Sequence, residues 1–396
     1  MINENYLRRK DTSYLFAGVM TKARAFSGAN PEAKLIYLNR TDVALPLSST
    51  VTGALSAAAE SEGAADSFRG YGPEEGYAFF REAVSRYYAS RGVSVEPGEV
   101  FASPGAKEAL TALPDIFSNN EIALVSSLCI PVYAEAAYAT GRPVVVVPAR
   151  EEDGFLPLPN ENQAGDILYL ASPNLPTGTA FDREMLGKWV EFANKNRSVI
   201  LYDAAYERFM EDSDLPRSIF EIPGARNCAI EIGSLSKCAG FTGLRCGYVL
   251  IPAELERDGF SLQRLWLRHQ ITASGGVSYP IQCAAVAALS EAGRAESREQ
   301  IAYYRENAAI LSDALRRAGV AFTGGRHAPH LFLRCPSGMT GWDFFDTVLE
   351  KAHIVGTPGL CFGEAGRDYF CLSALCTRAD AEKGAERLEK LFSEIF

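Results

Sequence analysis

The chain has 396 residues, 47% hydrophobic and 22% charged, a balance that suits a soluble protein with one large and one small domain. A formal net charge of −10 argues against a surface built for nucleic acid or for an anionic membrane, and no basic stripe offsets it. Nine cysteines, an odd number with no Cys-x-x-Cys pair, read as reduced and mostly buried thiols rather than as a disulfide framework.

Residues 1–10 lack the apolar core of a secretion signal, and the apolar runs are only strand-length, so the cytoplasm is the expected location. Phe101-Ala-Ser-Pro-Gly105-Ala106-Lys107 reads as a turn feeding a helix. Free N–H groups at Gly105, Ala106 and Lys107 would face an anion there, although Lys107 also fits an ordinary solvated first-turn lysine. Strand candidates follow at residues 122–125, 143–147, 166–171, 198–201, 228–232 and 247–251. Between them lie amphipathic helices such as 182–195, which sets Met185, Leu186, Trp189, Val190 and Phe192 on one face. Such alternation implies an α/β fold with a mostly parallel sheet covered on both faces.

The chemistry gathers at the ends of these strands. After 166–171 comes the loop Ala171-Ser-Pro-Asn174-Leu175-Pro-Thr-Gly178. The run 198–201 leads into Tyr202-Asp203-Ala-Ala-Tyr206 and so delivers a carboxylate at a strand's C-terminal end, where open α/β sheets bind ligands. An Asp that merely caps the next helix is the plainer alternative. Next comes Ser234-Leu-Ser236-Lys237, with Arg245 downstream. One lysine among small hydroxyl residues and glycines, with a second cation beyond it, suits a lysine that holds an aldehyde cofactor as a Schiff base while its neighbours clamp a phosphate. Taken alone, a Ser-x-Ser-Lys is more often an exposed turn. Past residue 281 the texture changes to one long Ala/Glu/Arg-rich helix, roughly 282–318, then short strands near Ala321 and at 330–334, and a closing helix at 380–396. The expected division is a large domain at 45–281 and a small one from 1–44 and 282–396. His327 and His330, the only histidine pair, have no cysteine or carboxylate cluster near them in sequence, so a metal site is not expected.

These three loops, in this order and each behind an apolar strand, resemble the class I and II aminotransferases, the fold-type I enzymes that use pyridoxal 5′-phosphate. The resemblance spans roughly residues 14–391. It implies that Lys237 carries the Schiff base and that Asp203 pairs with the pyridine nitrogen. By the same likeness Tyr206 reaches the ring's 3-oxygen, Asn174 lies beside the cofactor, and Ser234, Ser236 and Arg245 join the 105–107 helix start around the phosphate. Within the class the wording is most similar to the LL-diaminopimelate aminotransferases, through Arg69-Gly-Tyr71-Gly-Pro-Glu74-Glu-Gly76, Arg217 to Gly224, Gly240-Phe-Thr-Gly243 and Thr357-Pro-Gly359. In that branch the tyrosine reaches the phosphate, and the glutamate the substrate, of the partner subunit. A homodimer with shared sites is therefore implied.

Departures from the pattern concentrate on substrate recognition. Leu175 stands where the family's asparagine would bond the 3-oxygen, and Ile130 where a tyrosine would stack on the ring. Cys371 occupies the place of the arginine that pairs with the substrate α-carboxylate, and Tyr279 the place of a partner-subunit asparagine. The Asn39-Arg40-Thr41-Asp42 stretch replaces a glycine-bearing loop, with Arg40 either meeting a substrate carboxylate or phosphate or bridging Asp42 at the surface. An enzyme that forms an external aldimine with an amine or amino-acid substrate, and then a Cα carbanion, is implied. It could be an altered aminotransferase or one that eliminates, replaces, cyclises or joins carbon to carbon. A silent scaffold of the same fold is the third reading, opposed by the lysine, aspartate and phosphate clamp together.

Overall fold

The computed structural model describes residues 2–5, 15–160 and 162–395. Tyr14, where the resemblance begins, and Phe396, where the closing helix was expected to end, lie outside them. Val100–Ser103 (β1), Ala123–Ser126 (β2), Val144–Val147 (β3), Ile167–Ala171 (β4), Val199–Asp203 (β5), Ala229–Ser234 (β6) and Gly247–Leu250 (β7) make one seven-stranded sheet. Its order is β1-β7-β6-β5-β4-β2-β3, and β7 alone runs against its neighbours. Every residue of β1, β2 and β5 is buried, which is why most of these segments read as unbroken apolar runs rather than alternating ones. Each buried Val, Leu or Ile contributes about 1.5–3 kcal/mol to holding the sheet between its helices.

Two expectations need correction. Residues 101–103 are strand, not turn: Ser103 pairs with Gly247 in β7, and the turn begins only at Pro104. The single helix expected over 282–318 is two helices, Tyr279–Leu289 and Glu291–Arg317. Ser290 separates them, extended at φ −63° and ψ 167°, and its hydroxyl caps the second by accepting from the Gly293 N–H at 3.1 Å.

A second, antiparallel sheet joins Phe322–Gly324 (β8), His330–Arg334 (β9), Thr357–Pro358 (β10) and Tyr369–Ser373 (β11) in the order β8-β9-β11-β10. Its core draws Leu38 together with Leu311, Phe370 and Leu388, the last from the closing helix Arg378–Ile395. Ile36–Tyr37 pairs in parallel with Ile354–Val355, and the Ser373 N–H donates to Leu38 O at 2.6 Å. That bond sets the 39–42 loop beside the end of β11, where Ser373 faces His330 in register. Among the described residues no helix is long and apolar enough to cross a membrane, and no group of three His, Cys, Asp or Glu side chains is arranged to hold a metal. All nine cysteines are free, and eight are buried.

Candidate active site

The parallel strands β1, β2, β4, β5 and β6 all end on one edge of the sheet, so the segments that follow them converge. Asp203, the last residue of β5, is buried and accepts the Tyr133 hydroxyl at 2.8 Å on one oxygen and the Ala205 N–H at 3.0 Å on the other. Burial pushes its carboxyl above the ordinary carboxylate range, and the two hydrogen bonds pull it back. Tyr133 comes from the helix Val132–Thr140 behind β2, and Ile130 sits just ahead of that helix, partly buried against the same core. Tyr206, three residues past Asp203, is buried with its ring edge-on to His330, centroids 5.0 Å apart. Asn174, beyond β4, is buried too. Its amide donates to Thr177 Oγ1 at 3.1 Å and Leu128 O at 3.4 Å, which fixes the loop.

Behind β6 the chain turns through Ser234, Ser236 and Lys237. The Ser236 N–H donates to Ser234 Oγ at 3.1 Å, and Arg245 reaches Ser236 Oγ at 3.4 Å. Arg245 has φ +62°, in the left-handed region that a bulky residue enters only when its surroundings impose it. At the facing turn Gly105 has φ +138°, a conformation that L side chains rarely adopt, and Arg245 Nη2 and Glu108 Oε2 occupy the space where a Cβ would sit. One detail of the expected anion site changes. The Gly105 N–H is not free, because it donates to Ser103 Oγ at 3.3 Å. Ala106 and Lys107 remain as first-turn N–H groups of the helix Ala106–Ala112, which have no acceptor within the helix. Lys107 is exposed.

Lys237 Nζ donates to Thr41 O and thereby ties this edge of the large sheet to the 39–42 loop. Burial, aided by the charge of Arg245 and opposed by Asp42, pulls its ammonium down to about 8. Arg40, Thr41, Leu175, His330 and Cys371 line one narrow crevice. Arg40 is exposed, with its guanidinium 5.5 Å from the centre of the Tyr37 ring. Cys371 lies in the middle of β11, its thiol buried 3.9 Å from Pro176 O and raised by that burial. His330 is buried at the start of β9, whereas His327 faces Asp212 at 3.5 Å, so the histidine pair does not converge.

Tyr71, Glu74 and Tyr279 form a third group. Tyr71 is 96% exposed and Phe68 66%, while the Arg69 guanidinium lies 3.8 Å from the centre of the Tyr279 ring. Glu74 backs onto Gly276, with its carbonyl 3.7 Å from where a Cβ would sit.

Three residues near these groups had no role in the sequence reading. Tyr133 follows Ile130 by one helical turn, a spacing that could have drawn attention to it. Glu108, one residue past Lys107, faces Arg245 with both oxygens. The signal for His330 was its place at the head of a short strand, opposite the segment that carries Cys371.

Pyridoxal phosphate fits these donors. A buried carboxylate at Asp203 suits a protonated ring nitrogen, and the Gly105 cradle, with Arg245, Ser234 and Ser236, suits a phosphate. A family model described as aminotransferase class I and II matches residues 34–388. Among solved structures the chain is similar to an L,L-diaminopimelate aminotransferase from Chlamydomonas reinhardtii, 32% identical over 99% of this chain and 98% of that one, with a TM-score of 0.92. It is also similar to a substrate-bound BacF structure from Bacillus subtilis, at 25% identity, coverage of 94% on both sides and a TM-score of 0.83. An aminotransferase from Mycobacterium tuberculosis shares the fold, with a TM-score of 0.86 at 22% identity over 96% of this chain and 97% of that one.

Proposed function

Because this chain belongs to the class I and II aminotransferases, a family that works with pyridoxal 5′-phosphate, we propose that Lys237 carries the Cα proton of an amine or amino-acid substrate whose acidic group is met by Arg40. Bound at these strand ends, pyridoxal phosphate supplies an aldehyde for the amine and a ring that draws electrons away from Cα. The observation that carries the reading is the Lys237 amine, held near pKa 8 at the seam between the sheet edge and the 39–42 loop. Near neutral pH part of it is unprotonated, which both attack on a carbonyl carbon and acceptance of a proton require.

The other roles follow from chemistry and position. Asp203, steadied by Tyr133, keeps a proton on the ring nitrogen, and Tyr206 attends the ring oxygen. Asn174 holds its loop in place beside the ring. Ser234, Ser236 and Arg245, with the N–H groups of Ala106 and Lys107, take the phosphate. Ile130 and Leu175 offer the ring apolar contacts. Exposed Phe68 and Tyr71, beside the Arg69–Tyr279 stack, support a second copy of the chain on that face, with Tyr71, Glu74 and Tyr279 at shared sites. The division proposed is a small domain of residues 1–44 and 282–396 against a large one at 45–281; the small-sheet core supports it for 19–38 and 308–392, whereas Ala284, Leu289 and Ile301 pack with Val51 and Phe80 of the large domain. Free thiols support a reducing compartment such as the cytoplasm. The algal relative is named for L,L-diaminopimelate. A thiol at 371 cannot fork onto a carboxylate as an arginine does, so that substrate is not assigned to this chain.

The test is Cα–H exchange in D2O, followed by mass spectrometry across a panel of amines and amino acids. The native protein should exchange at least one of them, and Lys237→Ala none. A keto product with pyridoxamine phosphate would mark transamination, and released ammonia an elimination. Exchange that persists in Lys237→Ala would overturn the assignment.

A further inference from the structure

His330 is 1% exposed, and among the described residues neither of its ring nitrogens has a hydrogen-bond partner. A buried imidazole left unpaired is costly, because a donor and an acceptor both lose water without replacement. Packing explains only the ring: it meets Tyr206 in a T-shaped contact, and its backbone belongs to β9. The ring borders the crevice that His330 shares with Arg40, Thr41, Cys371 and Ser373; both nitrogens are covered and the crevice measures about 10 Å³, so a ligand larger than a water reaches them only by widening it.

The charges around the crevice say what that ligand is. Its polar lining comprises the Arg40 guanidinium, the Asn39 amide, the hydroxyls of Thr41, Thr357 and Ser373, the Cys371 thiol and the His330 imidazole, with one full positive charge among them. Among the described residues that line it there is no carboxylate. Burial, aided by the positive charge of Lys237, holds the imidazole neutral, down to about 3. A neutral imidazole presents one N–H and one bare nitrogen. Such a lining repels an ammonium and welcomes an acceptor that carries negative charge.

We propose that His330 is a substrate-contacting specificity residue, which donates its N–H to a substrate carboxylate whose other side meets Arg40, and so replaces the contact that the thiol at 371 cannot make. The inference deepens the function proposed above and rests on it for the substrate's amine end. It differs in naming the second donor and the group it selects. With Arg40 at the exposed mouth and His330 at the buried end, the carboxylate is gripped from two directions.

The test needs no turnover. The holoenzyme is titrated with succinate, which has carboxylates but no amine to react, and with 1,4-butanediol as its uncharged counterpart. Binding is read from the perturbed absorption of the bound cofactor. Succinate should bind saturably and the diol should not. His330→Phe, which keeps the ring contact with Tyr206, should weaken succinate by about 10-fold to 100-fold, the range for losing a hydrogen bond to a charged group. His330→Gln, which restores a donor, should recover most of that loss. Unchanged succinate affinity in His330→Phe would overturn the proposal, as would a diol that binds as well as succinate or a native protein that binds neither. Failure of Cα–H exchange with succinate binding intact would sink the proposed function and leave this contact standing.

Discussion

Arg245 spans both carboxylate oxygens of Glu108, at 2.9 and 2.8 Å, across the mouth of the Gly105 turn. A phosphate seated there must share or displace that fork, since its dianion and the carboxylate compete for one guanidinium. The two side chains are 37% and 44% exposed, so the pair is screened and holds with only about 0.2–1 kcal/mol. Glu108→Gln should therefore tighten pyridoxal phosphate binding to the apo-protein modestly, by up to about fivefold. Equilibrium titration followed by fluorescence measures it. Weaker binding in the variant would mean that Glu108 orients Arg245 for the phosphate rather than competing with it.

The bond from Tyr133 to Asp203 gives a second prediction. Burial raises the Asp203 carboxyl, and the Tyr133 hydroxyl is the larger of the two hydrogen bonds that lower it again. Tyr133→Phe removes that donor and keeps the ring stacked on Tyr169, whose centroid lies 5.0 Å away. The carboxylate should then bind a proton more readily and hold the cofactor nitrogen's proton less firmly. Substrate Cα–H exchange should fall by about 10-fold to 100-fold, the range for losing a hydrogen bond to a charged group. Asp203→Ala should retain some cofactor and lose the exchange almost completely. Equal rates in native protein and Tyr133→Phe would show that Asp203 does not need the tyrosine.

Much of this arrangement was legible in the sequence because its signals are local. A buried parallel strand must be apolar along its length, and its end marks the ligand edge, so Asp203 and Lys237 could be placed from runs of five or six residues. The spacing from Ile130 draws attention to Tyr133, but its pairing could not be read, since the partner lies 70 residues away. Strand β1 was hidden by the Pro104-Gly105 pair that closes it, and the helix break by an Ala/Glu/Arg composition that continues across Ser290. His330 draws its surroundings from the 39–42 loop, the Leu175 loop and β11, which only the fold brings together.

Lys237 makes the assignment sensitive to pH. Its ammonium is lowered to about 8, chiefly by burial and further by Arg245, while Asp42 raises it. Only the unprotonated amine attacks an aldehyde, so cofactor uptake by the apo-protein should accelerate as pH rises through about 8. Asp42→Asn removes the nearby charge that favours the ammonium, so the midpoint should move to lower pH. The substitution keeps an oxygen for the Val43 N–H, which Asp42 accepts at 2.9 Å, and so spares the turn. Stopped-flow absorbance across pH 6–10 would follow the uptake. A midpoint that rises or stays in place would show that Asp42 does not act on the lysine's charge.

The last prediction concerns Arg40 and Cys371, which line one crevice from opposite chain segments. Among the described residues Arg40 shows no ion pair with Asp42, and its guanidinium lies 5.5 Å from the centre of the Tyr37 ring. If it meets the substrate's acidic group, Arg40→Ala should raise KM by about 10-fold or more, since charged hydrogen bonds contribute about 1.5–3 kcal/mol each. Cofactor content should not change, because the phosphate contacts are assigned to Arg245, Ser234 and Ser236 and not to Arg40. Cys371→Arg would place a guanidinium at the middle of β11, where the thiol now touches Pro176 O at 3.9 Å. Crowding there should cost stability, visible as a lower Tm, yet the variant should gain exchange on simple α-amino acids that the native protein handles poorly. The two variants separate the alternatives. An unchanged KM in Arg40→Ala, together with new activity in Cys371→Arg, would mean that the natural substrate carries no carboxylate at that end.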